Sequence, residues 1–286
     1  MHTHHLRTMV SAGMLLILGC AFFHPGIAQE AAPLKLGAIP TTGVHDTLHF
    51  GILLPPSYEN SSHAYPVIYY MHGMNRYYAG PRAERIAAFF EKQMEDGQLP
   101  GFIMVFIDGG EGYWMDHCDG EPLLETAIMK YLVPYVDATY HTDASKRFTM
   151  GYSMGGNGAA FFYTKHPERF SAAISLDGGI VTYEDYLQRT GGRPEIISDQ
   201  EYFLEYGSPY GWINRNRVLL LEKQDTSIFL SAALLKQANK AFLSALEAEG
   251  IPAKYIEVNC THEFGCVFAE SQDELIAFLR KMMGKN

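Results

Sequence analysis

Basic residues are scarce in this chain, with 22 Lys and Arg against 32 Asp and Glu and a formal net charge of −10. Such a balance gives phosphate nothing to bind, which argues against nucleic acid and anionic membrane surfaces as partners. Cysteine is scarce too, at four residues. No hydrophobic run is long enough for a membrane span: the apolar stretch Met9 to Phe23 falls short of the roughly 20 residues a spanning helix needs. Linkers, internal repeats and low-complexity tracts are also missing, so no boundary divides the chain after its first residues.

The short apolar run fits an export signal. A head carrying Arg7 precedes it, and "HPGIAQE" follows with small residues at Gly26 and Ala28. Residues 1–28 read as a signal peptide cleaved after Ala28, and 29–286 as one α/β domain exported to the periplasm or beyond. A lipoprotein is the competing reading, since "ILGC" places Cys20 where a lipid anchor attaches; Phe22 and Phe23, however, carry the apolar run past it. A membrane is a partner only under that reading. Three cysteines remain, Cys118, Cys260 and Cys266, so one bridge at most forms within the chain, and its pairing stays open. His117 and Cys118 could meet Cys260, His262 and Cys266 around zinc, but their spacing matches no closed zinc motif. No metal or cofactor is expected.

Short apolar runs alternate with helical patterns, the signature of a mostly parallel sheet with helices on both faces. The strand candidates are "TLHFGILL", "PVIYYM", "FIMVFID", "RFTMGY", "SAAISL", "RVLLLE" and "KYIEV". A helix is expected from Glu121 to Tyr140, bent at Pro134, and another from Ser227 to Gly250. The amphipathic "SQDELIAFLRKMM" forms the last.

Against that order, "GYSMGGNGA" acquires a meaning. The β-rich "RFTMGY" runs straight into Ser153, and a helix of small residues follows. A serine on so sharp a strand-to-helix turn is strained, and glycine at 151 and 155 removes the side chains that would collide. Its hydroxyl needs a base and a group that orients the base. His262, between the last strand and last helix, has the base's place, whereas His141 and His166 sit at helix ends facing away. For the acid, Asp225 after "RVLLLE" comes first, with Asp177 in "SLDGG" and Glu222 as alternatives. Two backbone N–H groups must receive charge on the substrate oxygen; Met154 follows the nucleophile, and Met74 in "MHGMN" follows the second core strand.

These residues resemble the putative esterase family, the esterase D-like α/β-hydrolases that include feruloyl and acetylxylan esterases, formylglutathione hydrolases, enterochelin esterases and mycolyltransferases. The resemblance runs through "ILLPPSY", "YPVIYYMHGMN", "IMVFIDGG", "YLVPYVDATY", "RFTMGYSMGGNGAAFFYTKHPERFSAAISLDGG" and "THEF". It implies an α/β-hydrolase fold with Ser153, Asp225 and His262 as nucleophile, acid and base. The chain departs from the family pattern at Lys130, at Asp177 where serine is common, and at Cys260 and Thr261.

Residues 178–216 are the least family-like and form an expected lid rich in aromatics, among them Tyr206 and Trp212. Tyr113 and Trp114 are expected to extend the same wall. Aromatic faces suit a sugar ring or an aryl acyl group. The expected function is a secreted serine carboxylesterase acting on a small or polysaccharide-linked ester, for example a feruloyl or acetyl ester. Acyl transfer to a sugar acceptor is the alternative enzyme, and a non-catalytic binding module the alternative outside enzymes.

Overall fold

In the computed structural model, which describes residues 34–42, 44–74, 78–223 and 226–284, the chain runs from β1 (Lys35–Thr41) into β2 (His45–Leu53) as an antiparallel pair. The expected signal peptide, with Cys20, lies outside the described residues, and so does Asp225. β3 (Tyr65–Met71), α1 (Pro81–Glu95) and β4 (Ile103–Ile107) come next. A helical stretch in three parts follows: α2 (Leu124–Ala127), a wide π-type turn over Ile128–Leu132, and α3 (Val133–Thr139). Then come β5 (Thr142–Tyr152), α4 (Met154–Lys165) and β6 (Ala172–Leu176). Four short helices, α5 (Tyr183–Thr190), α6 (Gln200–Tyr206), α7 (Tyr210–Ile213) and α8 (Arg217–Leu221), lead to β7 (Ile228–Ala232). α9 (Lys236–Ala248), β8 (Ala253–Glu257) and α10 (Phe264–Met283) complete the order.

Among the described residues the strands make one eight-stranded sheet, ordered β1-β2-β4-β3-β5-β6-β7-β8. It is antiparallel at β1, β2 and β4 and parallel from β4 to β8. Every residue of β3, β4, β6 and β7 is buried. Strands covered on both faces can be apolar throughout, which is why these segments read as continuous hydrophobic runs. Val67, Tyr69 and Met71 point into one core with α2, α3, α4 and α9, and Ile68 and Tyr70 into the other with α1 and α10.

Two sequence expectations are corrected here. "RVLLLE" is not a strand but α8, in which Leu220 alone is buried while Val218, Leu219 and Leu221 face solvent. The penultimate strand is Ile228–Ala232, at the start of the segment read as helix from Ser227. A five-residue apolar run cannot be assigned by periodicity, and the β-branched and aromatic residues of "SIFLSA" were the better strand signal. The bend expected at Pro134 takes the form of the wide turn just before it. Proline cannot donate to the carbonyl a turn back, and a π-type turn accommodates the loss.

Candidate active site

Close packing dictates the turn at Ser153. A Cβ on Gly151 would sit 2.0 Å from the Gly155 carbonyl oxygen, and one on Gly155 would sit 1.9 Å from that of Met71. No real side chain fits either place. The strand can therefore pass into the helix in one step only with glycine there, and Ser153 takes up the strain with φ 56°. Its N–H donates to Leu176 O at 3.1 Å, and its own carbonyl accepts from Gly156, Asn157 and Gly179.

The turn aims Ser153 Oγ at His262, whose Nε2 lies 2.8 Å away. His262 sits between β8 and α10, in a loop that the Cys260–Cys266 disulfide closes. Its ring lies against Tyr152, with centroids 5.0 Å apart and planes at 23°. On the other side, Nδ1 donates to Asp177 Oδ2 at 2.6 Å. The bridge removes Cys260 and Cys266 from the thiols considered for zinc, and Cys118 donates to the Pro194 carbonyl at 3.0 Å.

The residue that orients His262 is thus Asp177, at the carboxyl end of β6, and the expectation of Asp225 is corrected. Asp225 lies outside the described residues, but β7 begins after it, at Ile228, so Asp225 precedes the strand it was expected to follow. In a parallel sheet the loops that carry chemistry leave the carboxyl ends of the strands. The loop leaving β7 is 233–235, and it contributes backbone rather than a carboxylate. Asp177 Oδ1 accepts from Ala233 N at 2.8 Å and Leu235 N at 2.9 Å, and Oδ2 accepts from Leu234 N at 3.3 Å. Burial works to raise the Asp177 carboxyl, but the bonds from His262, Ala233 and Leu235 outweigh it and hold it below the usual carboxylate range. Glu222, the other alternative, is exposed at the end of α8.

The hydrogen-bonded set opens into a cavity of about 530 Å³. Met74 and Met154, the two expected oxyanion donors, both border it. Gly73 brings the first of these loops close: a Cβ there would lie 3.4 Å from Ser153 Cβ. Most of the remaining wall is apolar, formed by Tyr113, Met115, Tyr186, Ile197, Phe203 and Leu235, with Arg193 as the charged member.

Of the four side chains expected to line the substrate wall, Tyr113 borders the cavity and the other three are elsewhere. Trp114 is fully buried and donates from Nε1 to the His72 carbonyl at 3.1 Å. Tyr206 stacks on Tyr202 at 4.5 Å, with Lys165 Nζ 4.5 Å from its ring. Trp212 donates from its indole to Glu205 O at 2.9 Å and lies beside Lys165 and Arg215. Tyr206 and Trp212 therefore fasten the insertion to α4, where Lys165 also donates to Glu205 O at 3.1 Å and Asn157 to Gly207 O at 2.9 Å. An aromatic ring in an insertion buries area equally well on its inner and outer surfaces, so composition alone does not tell which ring faces the cavity. Tyr113, Tyr186 and Phe203 do. No sequence signal singled out Met115, Arg193, Ile197 or Leu235.

His166, read as distant from the chemistry, bonds Glu125 at 2.7 Å beside Lys165.

Comparison with known proteins gives the family and the fold. The family model described as "Putative esterase" matches residues 42–210, more than half of the chain. Esterase MT1326 of Mycobacterium tuberculosis (strain CDC 1551 / Oshkosh) is 30% identical over 142 residues, which span 47% of this chain and 30% of that protein. Esterase Rv1288 of the H37Rv strain matches to the same extent. Among solved structures, a ferulic acid esterase superposes with a TM-score of 0.70 at 20% identity, covering 88% of this chain and 98% of its own. An S-formylglutathione hydrolase from Agrobacterium tumefaciens gives 0.65 at 17% identity, covering 90% and 99%. These two likenesses show the fold, that of the α/β-hydrolases, while the family match extends over the nucleophile turn and Asp177: the chain belongs to the putative esterase family.

Proposed function

We propose that this protein hydrolyses carboxylic esters through an acyl-enzyme on Ser153. The observation that carries the reading is the unbroken chain from Ser153 Oγ to His262 Nε2 at 2.8 Å and from His262 Nδ1 to Asp177 at 2.6 Å, beside an apolar cavity. In this mechanism His262 takes the Oγ proton as Ser153 attacks the ester carbon. The negative charge on the carbonyl oxygen is received by the N–H groups of Met154 and Met74. The proton then passes from His262 to the departing alcohol, and a water activated by the same imidazole releases the acid. Asp177 remains ionised throughout, holding Nδ1–H and stabilising the transient imidazolium.

For the acyl group we propose an aryl acid of the feruloyl kind. Tyr113, Tyr186 and Phe203 supply flat apolar faces, and about 530 Å³ is ample for one phenylpropenoyl group. The likeness to a ferulic acid esterase supports the same choice. An acetyl group would leave most of that wall uncovered. The alcohol is proposed to be a polysaccharide or a similar conjugate met after export, a location supported by the leader-like first 28 residues.

Purified protein should release ferulate from methyl ferulate with a higher kcat/KM than it releases acetate from a matched acetyl ester. Ser153→Ala should lower either rate by roughly a million-fold. Activity of Ser153→Ala within tenfold of wild type refutes the acyl-enzyme, and a preference for acetate refutes the aryl acyl group alone.

A further inference from the structure

His72 is completely buried between the nucleophile turn and the loop after β4, and the proposed reaction gives it no proton to carry. Its hydrogen bonds determine its tautomer. Gly109 N–H donates to Nε2 at 3.0 Å, so that nitrogen bears no proton, and the ring's hydrogen is on Nδ1. Nδ1 in turn lies 2.6 Å from the carbonyl oxygen of Gly73, which therefore accepts from it.

That one bond has a consequence across the peptide. The Gly73–Met74 bond is trans, since the one cis peptide among the described residues is Glu121–Pro122. In a trans peptide the C=O and the N–H are coplanar and point in opposite directions. Drawing the Gly73 oxygen back toward the buried imidazole turns the Met74 N–H outward, and Met74 borders the cavity that holds Ser153. We infer that His72 is a positioning residue, whose Nδ1–H fixes the Gly73–Met74 peptide plane and so aims the Met74 N–H at the oxygen of a reacting ester. The inference rests on the reading of Ser153 as nucleophile.

The imidazole is itself held from three sides. Trp114 donates from Nε1 to the His72 carbonyl at 3.1 Å and meets the imidazole edge-on, with centroids 4.9 Å apart. The indole fills the space that glycine leaves at 109 and 158: a Cβ at either place would approach within 2.7 Å of it. It thereby touches the loop after β4, the loop after β3 and helix α4 together. Tyr113 and Trp114 both have left-handed backbone, with φ of 55° and 62°, which bulky residues rarely adopt. Strain of that kind persists where the surroundings over-determine a conformation. Here it delivers the indole to His72.

The test uses two substitutions that divide the imidazole's two bonds. In His72→Asn the side-chain amide takes the place of Nδ1 and can still donate to Gly73 O. In His72→Gln the amide oxygen reaches the place of Nε2 and accepts from Gly109, but no donor faces Gly73. The probe is an aryl trifluoromethyl ketone: Ser153 Oγ adds to its carbonyl carbon, the π electrons move onto oxygen, and the Oγ proton passes to His262 Nε2. The adduct's charged oxygen needs the donors that the transition state needs. Loss of one such donor costs about 10²–10³ in kcat, so misaiming it in His72→Gln should cost about 30-fold. Inhibition by the ketone should weaken in parallel while KM changes less than about threefold. His72→Asn should recover most of both. Trp114→Phe, which keeps one aromatic ring but loses the Nε1–H that holds the His72 carbonyl, should weaken ketone binding in the same direction at unchanged KM. The inference is overturned if His72→Gln performs as well as His72→Asn, if Trp114→Phe binds the ketone as wild type does, or if KM rises with the loss in kcat. Failure of the ketone to inhibit the wild type, with Ser153→Ala still active, refutes the serine reading instead.

Discussion

Asp177→Asn tests the catalytic arrangement most directly, because both carboxylate oxygens accept hydrogen bonds. Oδ1 takes the N–H groups of Ala233 and Leu235 at 2.8 and 2.9 Å, and Oδ2 takes His262 Nδ1–H at 2.6 Å and Leu234 N–H at 3.3 Å. Asparagine offers one oxygen and one NH₂ group in their place. Turning the NH₂ toward Ala233 and Leu235 would set donor against two well-aligned donors, so it turns toward His262 instead. There it can only donate to Nδ1, which moves the imidazole hydrogen to Nε2, next to Ser153 Oγ. The base is then occupied in the ground state. The loss in kcat should approach 10⁴-fold, equivalent to ~5.4 kcal/mol of transition-state stabilisation, with little change in KM. Steady-state hydrolysis of methyl ferulate and of a p-nitrophenyl ester, with a circular dichroism spectrum to confirm the fold, measures it. Asp225→Asn, assayed in parallel, should stay within about twofold of wild type, because the carboxylate bonded to His262 is that of Asp177 and Asp225 precedes β7 in the chain. A rate for Asp177→Asn within tenfold of wild type, or a severe loss at 225, would refute the reasoning.

Two further outcomes follow from the same geometry. The folded Asp177 carboxyl ionises below the ~3.9 of a free aspartate, so its contribution to stability is complete above that pH and is lost as pH falls through the lower folded value. Urea unfolding should therefore show the stability gap between wild type and Asp177→Asn narrowing as pH drops below about 4, and a gap that widens would contradict the sign. Phe203→Ala should raise KM for feruloyl esters relative to acetyl esters because Phe203 borders the cavity, whereas Trp212→Ala should lower the melting temperature and leave that ratio unchanged. Equal changes in the ratio for both variants would show that the cavity wall is misassigned.

The pairing of Ser153 with His262 was legible in the sequence, because a motif anchored in steric necessity survives any uncertainty about its surroundings. Gly151 and Gly155 have carbonyl oxygens where their side chains would be, and that necessity is written as glycine. The acid was not so marked. Its position depends on which strand the carboxylate follows, and a short run such as "RVLLL" contains too few residues to distinguish a strand from a one-turn helix. That single misreading moved the expected acid from β6 to a site before β7. The aromatic insertion was visible as composition, but the direction of each ring depends on partners distant in sequence, such as Lys165 for Trp212 and Met115 for Phe203. Trp114 is the sharpest case. Its indole was expected in contact with substrate, and the left-handed backbone that turns it inward leaves no trace in residue type.

Because the carboxylate stands at the end of β6, the loop that leaves β7 is relieved of any side-chain duty in the chemistry. Residues 233–235 lend only their backbone N–H groups, which every residue except proline supplies. Leu234 is 66% exposed and Leu235 borders the cavity, so both side chains can change while the bonds to Asp177 remain. A library confined to positions 234 and 235, excluding proline, would vary the acyl preference of the enzyme with its catalytic residues untouched.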